Sequence, residues 1–163
     1  IIIIKMKTIF ERKNIYLVIF FYSIFAILYA VYIENVLGYL PCKLCLYQRI
    51  PFILSIFLCL IGYNYFKSDQ ILVYLILLFS INFMLAGYHF GIENGIFMEF
   101  GGCRSNNLGI TNKEELLNSL NINVSCKDAI FKIFDLSLSG WNFITSLLIV
   151  IICLRALFYG KNK

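Results

Sequence analysis

The stretch Pro41-Cys42-Lys43-Leu44-Cys45-Leu46-Tyr47-Gln48-Arg49 runs straight into Ile50–Phe66, a segment without a single charge. Upstream of it lies Ile15–Ile33, an uncharged run of 19 residues. At about 1.5 Å per residue such a run crosses a hydrocarbon core of roughly 30 Å. Two cysteines and a cation therefore stand where a membrane begins. Two thiols at Cys-x-x-Cys spacing can close a small ring and exchange rapidly. The motif alone also fits half of a zinc site; a haem attachment sequence needs a following His, and Leu46 stands there instead.

Composition supports the membrane reading. Of 163 residues, 61% are hydrophobic, 17% aromatic and only 14% charged, which leaves too little polar surface to cover a soluble globule. The net charge of +5 is read by position. Lys5, Lys7, Arg12 and Lys13 precede the first run, and Arg155, Lys161 and Lys163 close the chain, so the positive-inside rule puts both termini in the cytoplasm. Ile71–Phe90 and Trp141–Tyr159 complete a set of four runs. The expectation is one integral membrane domain over 1–163, an all-α four-helix bundle with spans near 15–33, 46–66, 71–90 and 141–159. Its outer loops fall at about 34–45 and 91–140. Four of the six cysteines lie outside the apolar runs, which argues for an oxidising compartment on that side.

Local signals fill in the loops. Pro41 is expected in the first turn of the second helix, and Pro51 is expected to loosen it, having no N–H for the carbonyl of Tyr47. Lys67–Gln70 reads as a tight polar turn. Thr111-Asn112-Lys113-Glu114 is a capping-box pattern opening a short helix in the long loop. Ser125-Cys126-Lys127-Asp128 is a weaker one, followed by Ile130, Phe131, Phe134 and Leu138 at the spacing of a helix lying on the membrane surface. Glu93 and Glu99 read as solvated loop charges. Cys59 and Cys153, inside apolar runs, read as small hydrophobes, and Trp141 as an interfacial residue.

Antiparallel spans two and three bring Arg49 and His89 towards one membrane face. Counted from Lys67, they lie 18 residues back and 22 on, roughly 27 Å and 33 Å along helices. Arg49 is four residues after Cys45, one turn deeper on the same face. A cation there, like the helix N-terminus, favours a Cys45 thiolate or a charge-transfer partner of it.

Together the segments Pro41–Arg49 (PCKLCLYQR), Ala86–Gly95 (AGYHFGIENG), the loop cysteines Cys103 and Cys126, and Asp135–Asn142 (DLSLSGWN) resemble the DsbB family of disulfide bond formation proteins. The likeness extends from Tyr16 to about Leu154, in motif order and topology. It implies an enzyme of the bacterial inner membrane, a protein-dithiol:quinone oxidoreductase. Such an enzyme reoxidises a periplasmic thioredoxin-fold oxidase of the DsbA type and passes the electrons to ubiquinone or menaquinone. By that likeness Cys103 and Cys126 form the disulfide met by the reduced partner, and Cys42 and Cys45 the pair beside the quinone. Arg49 and His89 match residues at the quinone site, where both can donate hydrogen bonds to quinone oxygens. From the residues alone, two other functions stay open. One is a metal-binding membrane protein whose four loop cysteines hold zinc or copper(I); the other is a scaffold with structural bridges.

Overall fold

The computed structural model describes residues 12–39, 41–65, 69–98, 126–127, 132–133 and 136–161. Four helices carry the chain: α1 (Arg12–Asn35), α2 (Lys43–Asn64), α3 (Asp69–Glu93) and α4 (Leu138–Lys161). All four are long and apolar enough to cross a membrane. Hydrocarbon offers backbone amides no partner, so a spanning segment must satisfy them internally, and helix is what these runs become. α1, α3 and α4 extend past their apolar runs by two or three residues at each end, while α2 begins seven residues before Ile50 and ends at Asn64. Asp69 and Gln70 thus belong to the first turn of α3 and not to the preceding turn.

One face of each helix is packed and the other turned outward. On α1, Ile15, Ile19 and Ser23 recur every four residues and are buried, while Val18, Phe21, Phe25 and Leu28 form an exposed apolar stripe. An exposed stripe of this kind suits lipid and not water. α1 packs on α2, α2 on α3 and α3 on α4, with only a light contact between α1 and α4. The core is built from Tyr16, Phe52, Leu72, Leu75, Phe79, Ile149 and Ala156. Phe52 meets Phe79 edge-on, centroids 5.7 Å apart. Cys59 and Cys153 lie in this core, as small hydrophobes do.

Polar contacts tie the helices at several depths. Arg12 and Asp69 form an ion pair at 2.6 Å at the end remote from Cys42. Ser23 and Ser55 share a hydrogen bond of 2.7 Å between α1 and α2. α2 runs unbroken through the buried Pro51.

Two expectations need correction. Pro41 lies outside α2: Cys42 is the N-cap and Lys43 the first helical residue. The segment before α4 is also not helical where it is described. β1 (Lys132–Ile133) pairs antiparallel with β2 (Leu136–Ser137), Ile133 opposite Leu136. The apolar spacing that suggested a helix up to Leu138 is interrupted because Ser137 caps α4, its Oγ accepting from Gly140 N–H at 3.2 Å. The stretch 111–114, with its expected short helix, lies outside the described residues, as does Cys103.

Gly62 is where α2 lies against the Tyr16 ring of α1. A Cβ there would stand 2.7 Å from the Tyr16 ring, which is itself fully buried. Gly62→Val is expected to destabilise the bundle by about 1–3 kcal/mol through overpacking. Thermal unfolding in detergent checks this, and an unchanged midpoint would place the α1–α2 contact elsewhere.

Candidate functional site

The cysteine pair owes its geometry to the start of α2. Cys42 has the extended backbone of an N-cap, φ −72° and ψ 167°. Its sulfur takes the place of the usual oxygen cap, accepting from Cys45 N–H at 3.3 Å. That turn brings the two sulfurs together, Cys42 Sγ donating to Cys45 Sγ at 2.9 Å. Cys42 is buried and Cys45 half-buried. The Cys42 thiol is pushed up to about 12, first by the hydrogen bond it gives Cys45 and then by burial, with the hydrogen bond from His89 acting the other way. Of the two sulfurs, Cys42 keeps its proton in the reduced pair.

His89, one turn from the end of α3, is buried against this pair, its Nε2 3.5 Å from Cys42 Sγ. Its other nitrogen, Nδ1, is met by Gln48 Nε2 at 3.1 Å. An amide nitrogen only donates, so Nδ1 is the acceptor and Nε2 carries the ring proton. Cys126 completes the cluster: its sulfur, Cys42 Sγ and a His89 nitrogen all lie within 4.8 Å of one another, and all three residues are buried. Leu44 and Ile92 seal the cluster with Tyr88 at its edge.

One turn beyond His89, at the end of α3, stands Glu93, whose side chain is only 8% exposed and whose Oε1 lies 3.6 Å from Nε2. Ser137 and Ser139 both donate to its other oxygen. The carboxylate ends α3, where the helix dipole disfavours it, but it also faces the N-terminus of α4, which favours it. The two hydroxyls complete its solvation. Glu93 is therefore an internal group, not the solvated loop charge its surroundings in sequence suggested.

Arg49 has a different neighbour. It lies on the Cys45 face of α2, and its NH1 pairs with Glu34 Oε2 at 2.7 Å, with 22% of the Arg49 side chain exposed. The residue of α2 that meets His89 is Gln48. Gln48, Glu93, Ser137 and Ser139 had no assigned role in the sequence reading, although Ser137 before an apolar run is a cap signal. Gln48 also falls on the buried face of α2 with Leu44, Phe52 and Ser55.

The spacing of Cys42, Cys126 and His89 would admit a soft divalent ion. The imidazole nitrogen facing the sulfurs is, however, the protonated one, so a metal would have to displace that proton and turn the Gln48 amide. What the cluster offers as it stands is thiol–disulfide exchange among three neighbouring sulfurs beside a hydrogen-bond donor. In the reduced protein at neutral pH, alkylation should fall on Cys45 and spare Cys42. Peptide mass spectrometry after brief iodoacetamide treatment reads this, and equal labelling would refute the protonation order.

The family description "Disulfide bond formation protein DsbB" matches residues 12–156. An uncharacterised protein of Rickettsia prowazekii (strain Madrid E) is 28% identical over 157 residues, covering 93% of this chain and 91% of that protein. A Bacillus subtilis (strain 168) protein described as SPbeta prophage-derived disulfide bond formation protein B is 33% identical over 82 residues, covering 50% of this chain and 54% of its own length. A match that runs from the first residue of α1 to the last turns of α4, and takes in the capped cysteine pair and its histidine, settles the kinship: the chain belongs to the DsbB family of disulfide bond formation proteins.

Proposed function

We propose that this protein is a protein-dithiol:quinone oxidoreductase of the bacterial inner membrane. It reoxidises a DsbA-type thioredoxin-fold oxidase in the periplasm, where its loop cysteines lie, with both termini in the cytoplasm. The observation that carries the reading is the convergence of Cys126 on Cys42, whose neighbour Cys45 stands one turn above Arg49.

The exchange sequence is supported by the nearness of Cys126 to Cys42, with Cys103 taken as the partner's target by the family likeness. A partner thiolate attacks Cys103, opening a Cys103–Cys126 disulfide and releasing the Cys126 thiolate. Cys126 then attacks Cys42, whose sulfur lies within 4.8 Å of its own, and the Cys42–Cys45 bond breaks to leave a Cys45 thiolate. The partner's second thiolate resolves the mixed disulfide and frees Cys103. Attack of Cys103 on Cys126 restores the loop bridge and returns Cys42 as a thiol. Two electrons have then moved from the partner dithiol to the Cys42/Cys45 pair, with all bonds accounted for.

A quinone, when bound, supplies the two-electron, two-proton sink that re-forms Cys42–Cys45. Such a sink is needed because a DsbA-type couple stands at about −120 mV, already strongly oxidising. The residues fit it. Glu34 holds one guanidinium donor of Arg49 and fixes its orientation, leaving others for a quinone oxygen. An apolar groove between α1 and α4, lined by Val18, Ile19, Tyr22, Thr145 and Leu148, suits an isoprenoid tail.

In an assay with a reduced DsbA-type partner and quinone, Cys42→Ser and Cys45→Ser should abolish quinone reduction. Arg49→Lys should raise the KM for quinone more than that for the protein partner. A quinone dependence unchanged by Arg49→Lys would remove Arg49 from the site, and full activity of Cys42→Ser would sink the whole reading. The contact of Cys126 with Cys42 has its own check: in Cys45→Ser with Cys103→Ser, oxidised glutathione added as the two-electron acceptor should yield a Cys42–Cys126 disulfide, visible by peptide mapping.

A further inference from the structure

Beyond the cysteines, a line of amides runs from His89 into the bundle. Asn142 Nδ2 donates to Gln48 Oε1 at 2.8 Å. Asn82 Nδ2 donates to Asn142 Oδ1 and to Ser146 Oγ, each at 2.9 Å. Ser146 Oγ in turn donates to Asn142 Oδ1 at 3.1 Å. Asn82 and Ser146 are completely buried. The line therefore has a direction: every amide donates towards His89, and the last donor, Gln48 Nε2, meets Nδ1.

The opposite direction is chemically possible, with each amide turned over and Nδ1–H donating to Gln48. Its cost falls on Asn82. In the observed direction the group at Asn82 without a partner is a carbonyl oxygen. Turning Asn82 would put its NH2 there, two donors without an acceptor in a dry core. An unpaired amine with two protons costs more than one unpaired carbonyl, because desolvation is charged for each group left unmade. Residues on α3 and α4 far from the sulfurs thus bias the ring.

We propose that Gln48, Asn142 and Asn82 are positioning residues, a one-directional amide relay that holds His89 as the Nε2–H tautomer and keeps its proton aimed at Cys42 and Glu93. Nε2–H then donates to Cys42 sulfur whenever that sulfur carries negative charge, as it does on release from a mixed disulfide. The same proton bars Nε2 from acting as a base towards the Cys42 thiol. This deepens the exchange sequence above, on whose reading it rests for its purpose, but its test does not depend on activity.

His89 is the only histidine in the chain, so 15N-histidine labelling gives one ring to observe. In reduced protein at a pH where the ring is neutral, the wild type should show Nε2 protonated and Nδ1 as a hydrogen-bonded acceptor. Asn142→Leu removes the donor that orients Gln48 without touching the ring, and Gln48→Leu removes the last donor. Each should raise the Nδ1–H population roughly fivefold, the ratio that corresponds to one net hydrogen bond. A wild-type ring protonated at Nδ1 overturns the relay whatever the variants do, and so do variant spectra that superimpose on the wild type. Absence of quinone reduction by the wild-type protein, with the tautomer shift of the variants intact, would count against the proposed function and leave the relay standing.

Discussion

A polar side chain inside hydrocarbon has to find its partners in the protein, and that requirement organises this bundle more tightly than apolar packing does. Lipid tails are as apolar as leucine, so there is little hydrophobic drive to bring the helices together once they are inserted. Ser23 with Ser55, and Gln48 with Asn142 and Asn82, supply directional contacts between α1 and α2, α2 and α4, and α3 and α4. Apolar side chains tolerate small rotations of a helix. A hydrogen-bonded amide does not, and the rotation it fixes on α2 also fixes where Cys42 and Cys45 point.

The same logic explains the histidine's place. A neutral imidazole needs one donor and one acceptor relationship to be satisfied. Gln48 provides the first, and the second nitrogen faces Cys42, with Glu93 3.6 Å from it. The carboxylate is bearable in so buried a place because two serine hydroxyls and the first turn of α4 surround it. Chemistry at the sulfurs and the architecture of the helix ends are here one structure.

How much of this is legible in the sequence depends on the range of the interaction. Helices announce themselves through uninterrupted apolar runs, a local property, and all four spans and the cysteine pair at the head of α2 were readable in that way. Arg49 was placed correctly on the face of Cys45 by helical spacing, but its pairing with Glu34 joins two helices and leaves no local trace. Gln48 was hidden for the same reason: what singles it out from Arg49 is a helix rotation set by residues on α3 and α4. The apolar period from Ile130 to Leu138 misled because spacing says nothing about where a cap interrupts it, and Ser137 does interrupt it. Glu93 looked solvated because its partners, Ser137 and Ser139, follow it by more than forty residues.

The short β1–β2 pairing before α4 sets a tether for Cys126. Because Ser137 is at once the end of β2, the cap of α4 and a ligand of Glu93, the hairpin is moored to the helix bundle. From Cys126 to Lys132 the chain has only six residues of length, a reach of at most roughly 20–22 Å when fully extended. Cys126, whose sulfur lies within 4.8 Å of that of Cys42, is therefore joined by no more than that length of chain to a hairpin fixed on the bundle.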